Sequence, residues 1–402
     1  MESVIVIGGG ASGLMAALTA AEKHDRRVIL LERQQRVGRK LLATGNGRCN
    51  LSNTGAAPAH YHGQDPDFTL PALAAFSPED ALDFFQGLGL LTVTEYGGRV
   101  YPLSNSANSV LDVLRFALET VGVELHSACP ARAIRPRLGG FVVETEQGSF
   151  SADRLIMACG GAAGGKLGGV TDGYELMKAL GHRRTGLYPS LAPVYTDPEY
   201  PRALKGVRAP GALRLNRGEE LLAESRGEIQ FTENGLSGPA VFDLSRAAAT
   251  GGEGLTVHMD LLPLEQADLL AMLRRRQALT PEREAAELFT GMLHNRLGRM
   301  LVRYSGVSGG ATLGELSEEE LLRCARAAKD FALRVRGVGS LDSAQVTAGG
   351  LRTEDFNSQT LESRLCPGLF ACGEVLDVDG DCGGYNLQWA WASGRLAGRL
   401  GT

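Results

Sequence analysis

No stretch of the 402-residue chain stays apolar for the ~18 residues a membrane span requires, so no membrane partner is expected. The first residues show no basic cluster ahead of an apolar run, and a strand-like segment already begins at Val4, which argues against a secretory leader. The seven cysteines are odd in number and none stand at Cys-x-x-Cys spacing. A disulfide framework, a dithiol redox pair and a zinc site are therefore disfavoured, and no metal is expected. Positive charge is not in excess either: 41 Lys and Arg face 46 Asp and Glu, a formal net charge of −5. Bulk nucleic-acid binders are usually basic, so that partner is not expected. The short basic run Arg274–Arg276 reads as a solvated helix face. No repeat and no low-complexity tail is present. The absences point to a reduced, cytoplasmic protein with a small-molecule partner; they leave the oligomeric state open.

What the chain has in quantity is glycine, 53 residues, well above the usual ~7%. The glycines cluster at Gly8–Gly10, Gly45/Gly47, Gly160–Gly169, Gly349/Gly350 and Gly383/Gly384, mostly just after short apolar runs. Such clusters mark loops where backbone approaches a ligand or another backbone closely.

The first cluster has a full context. Val4-Ile5-Val6-Ile7 is a continuous apolar run, as in a buried parallel strand. Gly8-Gly9-Gly10-Ala11-Ser12-Gly13 follows as G-x-G-x-x-G, then a helical pattern from Leu14 to Lys23, then a second strand, Arg27–Leu31, ending at Glu32 with Arg33 behind it. Gly8 serves the tight turn, Gly10 the approach of a pyrophosphate, Gly13 the packing of helix on strand, and Glu32 a ribose. The pattern predicts a dinucleotide site in a parallel α/β domain.

Three later features favour FAD over a nicotinamide. Leu155-Ile156-Met157-Ala158-Cys159-Gly160-Gly161 is a strand that stops at a glycine pair, after a hairpin over residues 141–150. Gly368–Ala371 is a late strand running into Cys372-Gly373-Glu374. Gly383-Gly384 precedes a helix holding both tryptophans, Trp389 and Trp391. That helix is expected to aim its N-terminal amides at the flavin N1–C2=O edge, the glycines admitting the flat ring. At this spacing the two tryptophans cannot share a helix face, and one of them is expected in the core. A second complete G-x-G-x-x-G is absent, so NAD(P)H, as a candidate reductant, has no Rossmann domain of its own.

The stretch GRKLLATGNGRCNLSN (residues 38–53), together with GGGASGLMAA, Val100-Tyr101-Pro102, Thr171-Asp172-Gly173-Tyr174, Gly235–Ala240, Val346–Gly350 and GEVLDVDGDCGGYNLQ, resembles the BaiN/RdsA-like family of bacterial FAD-dependent flavoproteins, which are aminoacetone oxidase-like oxidoreductases. One departure is Cys159, where the family carries Thr. The resemblance implies a Rossmann-like FAD-binding domain of the two-dinucleotide-binding flavoprotein type, with an inserted β-barrel-like part and a helical part. The implied boundaries are 1–186 with 346–402 for the FAD domain, 187–260 with 336–345 for the barrel, and 261–335 for the helices. It places Ser12, Glu32, Lys40, Asn46, Gly47, Arg48, Cys49, Asn50, Glu374, Asn386 and Leu387 around FAD, and the adenine near the backbone at Ala131. Joined to the residues read above, the expected cofactor set also takes in Gly8, Gly10, Ala11, Gly13, Arg33, Arg39, Ala158, Gly160, Gly161, Gly373, Gly383 and Gly384. Arg39, Lys40 and Arg48 have the charge to neutralise a pyrophosphate or a reduced flavin.

In the middle of the chain, prolines recur and short alternating runs such as Ala212–Asn216 and Glu228–Phe231 predict antiparallel strands. Periodicity predicts helices over 264–277, 281–293 and 315–335, with Ser317 and Glu320 as a capping box. The expected chemistry is hydride or two-electron transfer at flavin N5. Acid–base candidates are Tyr101, Tyr385, Asp381, His60 and His62, none fixed by a motif. Cys49 reads as packing rather than redox chemistry. An RNA-modifying flavoenzyme and a non-catalytic flavin-binding sensor or interaction protein are the alternatives to a small-molecule oxidoreductase.

Overall fold

A computed structural model describes residues 1–401. The chain forms two compact units, Met1–Tyr188 together with residues from Leu341 onward, and Pro189–Ser340. Each has its own apolar core.

The first unit is built on β1 (Glu2–Ile7), α1 (Ala11–Ala21) and β2 (Arg26–Leu31). β1 lies in the middle of a five-stranded sheet whose order across is 369–371, 154–157, β1, β2 and 124–126, all neighbours parallel. Val4 to Ile7 are all buried, which is why the run is apolar without alternation. The sheet thus takes strands from both ends of the chain. So do the helices. The C-terminal helix (Tyr385–Gly398) lies along α1, and a Cβ at Gly394 or Gly398 would overlap the Ser12 or Ala16 carbonyl oxygen of α1. An antiparallel three-stranded sheet over 131–152 completes the unit's larger elements, with its hairpin where the sequence placed it.

The second unit contains a closed six-stranded barrel, in the order 194–196, 235–237, 220–231, 208–217, 255–260 and 331–338. Four helices of eight or more residues belong to it: Pro239–Thr250, Gln266–Leu279, Asn295–Tyr304 and Glu318–Lys329. One predicted helix fails and another is shorter than expected. Residues 281–293 hold only a 3-10 turn at Ala285–Glu287; buried Leu288 and Phe289 gave the stretch its helical look, but Gly291 adopts φ +81° and ends any helix there. The helix predicted over 315–335 stops at Lys329. Its capping box is as expected, Ser317 Oγ accepting from the Glu320 amide and Glu320 capping the Ser317 amide at 2.8 Å. Beyond Asp330, Phe331-Ala332-Leu333-Arg334 alternates buried and exposed and becomes a barrel strand. The helix at 295–304 was not anticipated.

Candidate functional site

The first unit holds a cleft with about 1420 Å³ of unfilled space, part of it open to solvent. Its floor is the turn between β1 and α1. Gly8 sits at φ +110°, and its missing Cβ leaves room for the Ala158 carbonyl. Gly13 has no Cβ because one would overlap the Gly8 carbonyl oxygen. Gly10 differs from both. Its φ is −81°, ordinary for any residue, and a Cβ there would meet no protein atom within 4 Å. Neither backbone strain nor packing requires glycine at this position, and Gly10 lines the cleft. The first intrahelical bond of α1 runs from Leu14 to the Gly10 carbonyl, 2.9 Å, so the amides before Leu14 have no intrahelical acceptor.

Glu32 closes one end. It is buried, with Oε2 accepting from the Gly9 amide at 2.7 Å and Oε1 from the Gln34 amide at 2.6 Å. Burial pushes its carboxyl above the ordinary value, against the opposing pull of these two amides. Each carboxylate oxygen keeps a second lone-pair direction for a ligand hydroxyl. The Cys129 amide donates to the Glu32 carbonyl at 2.8 Å, which brings the 129–131 backbone onto the same end, with Ala131 in the wall.

At the other end, helix α2 (Arg39–Ala43) carries Lys40, whose Nζ lies 2.6 Å from Glu374 Oε2. Glu374 Oε1 also accepts from the Thr347 amide at 2.9 Å. A Cβ at Gly161 would crowd Thr347 and Glu374, so this glycine is set by packing, while Gly160 is open and sits at φ +73°. The C-terminal helix contributes Asn386 and Leu387 to the wall. Its first intrahelical bond is Gln388 to Gly384, 3.0 Å, so the amides of Asn386 and Leu387 also precede any intrahelical acceptor.

Fifteen of the residues expected around the cofactor line this one cleft, from Gly8, Gly10, Ala11 and Ser12 through Glu32, Arg33, Arg39, Lys40, Ala131, Ala158, Gly160, Gly161 and Glu374 to Asn386 and Leu387. Arg39 is held by the Gln34 side chain and the Lys166 carbonyl, each at 2.9 Å. The charge of Lys40 is already matched by Glu374, which a count of basic residues could not foresee.

The others lie outside the cleft walls. Gly13 packs against Gly8, and Gly373 sits at φ +77° with its missing Cβ leaving room for the Ser12 side chain. Gly384 is the cap of the C-terminal helix at φ +102°, and a Cβ there would overlap the Ser52 carbonyl oxygen. Gly383 is at φ +138°. Gly384 therefore makes room for protein backbone, while a Cβ at Gly383 would meet only side-chain atoms at 3.4 Å or more. Asn46, Gly47, Arg48, Cys49 and Asn50 form a looped segment against that cap. Asn46 and Cys49 take positive φ, 56° and 62°. Arg48 pairs with Glu95 and Asn105 and lies 4.0 Å from the Tyr101 ring centre, so its charge is committed away from the cleft. Cys49 is fully buried and burial pushes its thiol up to about 12, which removes it as a nucleophile near neutral pH. Asn50 Oδ1 is buried without a hydrogen-bond partner beside Gly384. Tyr101, Tyr385 and Asp381 also lie off the cleft walls. Both tryptophans are buried, not one: Trp389 Nε1 donates to the Gly373 carbonyl at 3.2 Å and Trp391 Nε1 to the Leu51 carbonyl at 2.8 Å, on different faces of a helix enclosed all round.

Sequence reasoning missed Gly9, Gln34, Arg36, Thr44 and Asp172 in the wall, and the 167–170 loop. Gly9 carried a signal: it stands inside the motif, and a Cβ there would press on Val37 and Glu32 Oε2. The loop carried one too, in its run of glycines.

A parallel sheet with a glycine turn at the head of α1, an acid closing β2 and a second helix N-terminus at the same cleft define an FAD-dependent oxidoreductase on a Rossmann-like fold. The chain belongs to the HI0933-like family: the model described as HI0933-like protein Rossmann domain matches residues 2–400. The 3-dehydro-bile acid delta(4,6)-reductase of Clostridium scindens is 39% identical, covering 99% of this chain and 98% of the relative. The ribosomal RNA dihydrouridine synthase of Escherichia coli is 30% identical, covering 97% and 95%. Among solved structures, a 3-ketosteroid delta1-dehydrogenase from Sterolibacterium denitrificans superposes with a TM-score of 0.53 at 13% identity over 99% of each chain, a likeness of fold. Among the described residues, no helix is long and apolar enough to cross a membrane.

Proposed function

We propose that the protein reduces a carbon–carbon double bond conjugated to a carbonyl in a small molecule, with FAD in the cleft. The observation that carries the cofactor assignment is Gly10: glycine without conformational or packing need, facing open space at a helix N-terminus. The residues fit FAD. Gly10 and the first amides of α1 would receive the pyrophosphate, Glu32 the adenosine ribose, and the Asn386 and Leu387 amides the electron-rich rim of the ring. The Lys40–Glu374 pair would stand beside the linker as a neutral unit, orienting it without adding net charge. Bound there, FAD supplies two-electron hydride chemistry at N5.

The two relatives support the reaction class. One name specifies reduction of a 3-oxo-4,6-diene, the other conversion of uridine to its dihydro form. Both are additions of two hydrogens across a double bond in conjugation with a carbonyl. A small substrate is favoured by the formal charge of −5. A ribosomal RNA substrate is the second reading, and the relative at 30% identity is the observation that favours it. NAD(P)H as electron source would bind without a second dinucleotide fold.

Anaerobic stopped-flow mixing separates these readings. The expected result is bleaching of the flavin absorbance by NADH or NADPH, then recovery on adding a 3-oxo-4,6-diene steroid acid. Recovery only with ribosomal RNA moves the assignment to the second reading. Recovery with neither, in a protein that binds flavin tightly, refutes both and leaves a sensor. Separately, Glu32→Ala is expected to weaken FAD binding by about 1–3 kcal/mol, read by equilibrium titration of the cofactor-free protein. An unchanged dissociation constant removes Glu32 from the ribose.

A further inference from the structure

A hydride delivered to one carbon of a double bond must be matched by a proton at its neighbour, and the cleft groups described above are committed elsewhere, Glu32 to two backbone amides and Lys40 and Glu374 to each other. We propose that His60 and His62, both held on the Asp381 carboxylate, are the pair that supplies this proton; the inference rests on the double-bond reduction proposed above.

The geometry is specific. His60 Nδ1 lies 2.9 Å from Asp381 Oδ2, and His62 Nε2 lies 2.7 Å from Asp381 Oδ1. One carboxylate thus orients two rings, one on each oxygen. His60 ends a 3-10 turn (Pro58–His60) and His62 lies on the two-residue strand Tyr61–His62, so the two imidazoles reach the same carboxylate while Tyr61 between them is buried. The short pairing of 61–62 with 379–380 fixes the two segments, and the Asp381 amide donates to the His60 carbonyl at 3.0 Å. The cluster is also tied to the cleft. The His60 ring stacks on Tyr385, the first residue of the C-terminal helix, with centroids 4.3 Å apart and planes 20° from parallel. Asn386, a cleft residue, accepts from the Gly380 amide at 2.8 Å and donates to the Gly380 carbonyl at 2.7 Å, pinning the backbone next to Asp381.

Neighbouring groups are poor proton sources. Tyr61 donates its hydroxyl to the Tyr385 carbonyl at 3.0 Å, and burial pushes it far up. Burial also raises Tyr101, and Cys49 is pushed up to about 12. Burial alone would raise Asp381, but the hydrogen bonds from His62 and His60 prevail and hold it below the ordinary carboxyl value, so it serves as the anionic partner of an imidazolium rather than as the acid. The two imidazoles are the remaining side chains of the cluster that can carry and give up a ring N–H proton. Their side chains are 39% and 38% exposed, so solvent can return the proton after each turnover.

The step balances. With reduced dihydroflavin as the hydride donor, the β-carbon gains hydride and the carbon–carbon π bond breaks toward the carbonyl. The resulting enolate takes a proton at the α-carbon from an imidazolium N–H, and the neutral imidazole is reprotonated from water. The test uses the flavin-loaded protein reduced with dithionite and mixed with 2-cyclohexenone and, separately, with a 3-oxo-4,6-diene steroid acid. His60→Gln, His62→Gln and the double variant are compared. The expected result for the double variant is a loss of at least ~100-fold in the rate of flavin reoxidation by the enone, partly restored by added imidazole, with unchanged flavin content and melting temperature. Reoxidation of the folded, flavin-loaded double variant at the wild-type rate overturns the proposal and leaves the reduction reading intact. Failure of the wild type to be reoxidised by either enone removes that reading and this inference with it. A second readout needs no turnover and no variant: the imidazole ring proton resonances of His60 and His62 should shift when the saturated analogue cyclohexanone is titrated into the oxidised protein, and their constancy at saturating ketone equally overturns the proposal.

Discussion

Gly10→Val is expected to give a folded, colourless protein. Its backbone at φ −81° suits valine, and the new Cβ meets no protein atom within 4 Å, so the cofactor-free protein should melt within a few degrees of the parent. The side chain would fill the space facing the amides of α1, where the pyrophosphate is proposed to lie. Loss of that approach should cost at least about 3 kcal/mol, ~100-fold or more in FAD dissociation constant. Gly13→Ala is the counterpart. Its Cβ would overlap the Gly8 carbonyl oxygen, which is backbone and has no room to yield, so that variant should lose stability before it loses affinity. Flavin absorbance after purification and the melting curve read both. A yellow Gly10→Val protein with full cofactor would place the pyrophosphate elsewhere.

Trp391→Ala is expected to lose about 3–5 kcal/mol of stability, a large share of the ~5–15 kcal/mol of an ordinary domain. Trp391 is fully buried, packs edge-on against Phe85 with centroids 5.1 Å apart, and donates to the Leu51 carbonyl. Together with Gln388, which accepts from Ser52 Oγ at 2.7 Å, it ties the C-terminal helix to the segment that follows the glycine–asparagine loop. Trp391→Phe separates packing from polarity: it retains most of the apolar contact but leaves the Leu51 carbonyl without its donor, for an expected cost of about 1–3 kcal/mol. Urea denaturation of both variants gives the two contributions. Equal losses would mean that the hydrogen bond, not the ring, holds the helix.

The nucleotide half of the cleft was legible in the sequence because it is local. Gly8, Gly10, Gly13 and Glu32 fall within 25 residues, and each owes its identity to a backbone contact or a space that spacing alone implies. The flavin half was legible only in outline. Lys40 reads as a free cation until the fold brings Glu374 to within 2.6 Å of it, across 334 positions of sequence. Arg48 is diverted in the same way by Glu95. Gly383 and Gly384 read as an entry for a flat ring, whereas Gly384 is the cap of the C-terminal helix and the carbonyl that forbids a side chain there belongs to Ser52, which no local pattern announces. In the barrel unit, alanine-rich text around 325–332 hid the change of period at Asp330, where helix gives way to strand.

The order of strands in the parallel sheet has a consequence for synthesis. As the chain leaves the ribosome, β1 appears first, yet two of its companions in the unit, the strand at 369–371 and the helix at 385–398, appear last. The barrel unit, ending at Ser340, is fully translated while the flank of α1 still waits for its cover. The apolar flank of α1 can therefore be covered only after the helix at 385–398 has been made, long after the strand and helix that begin the unit.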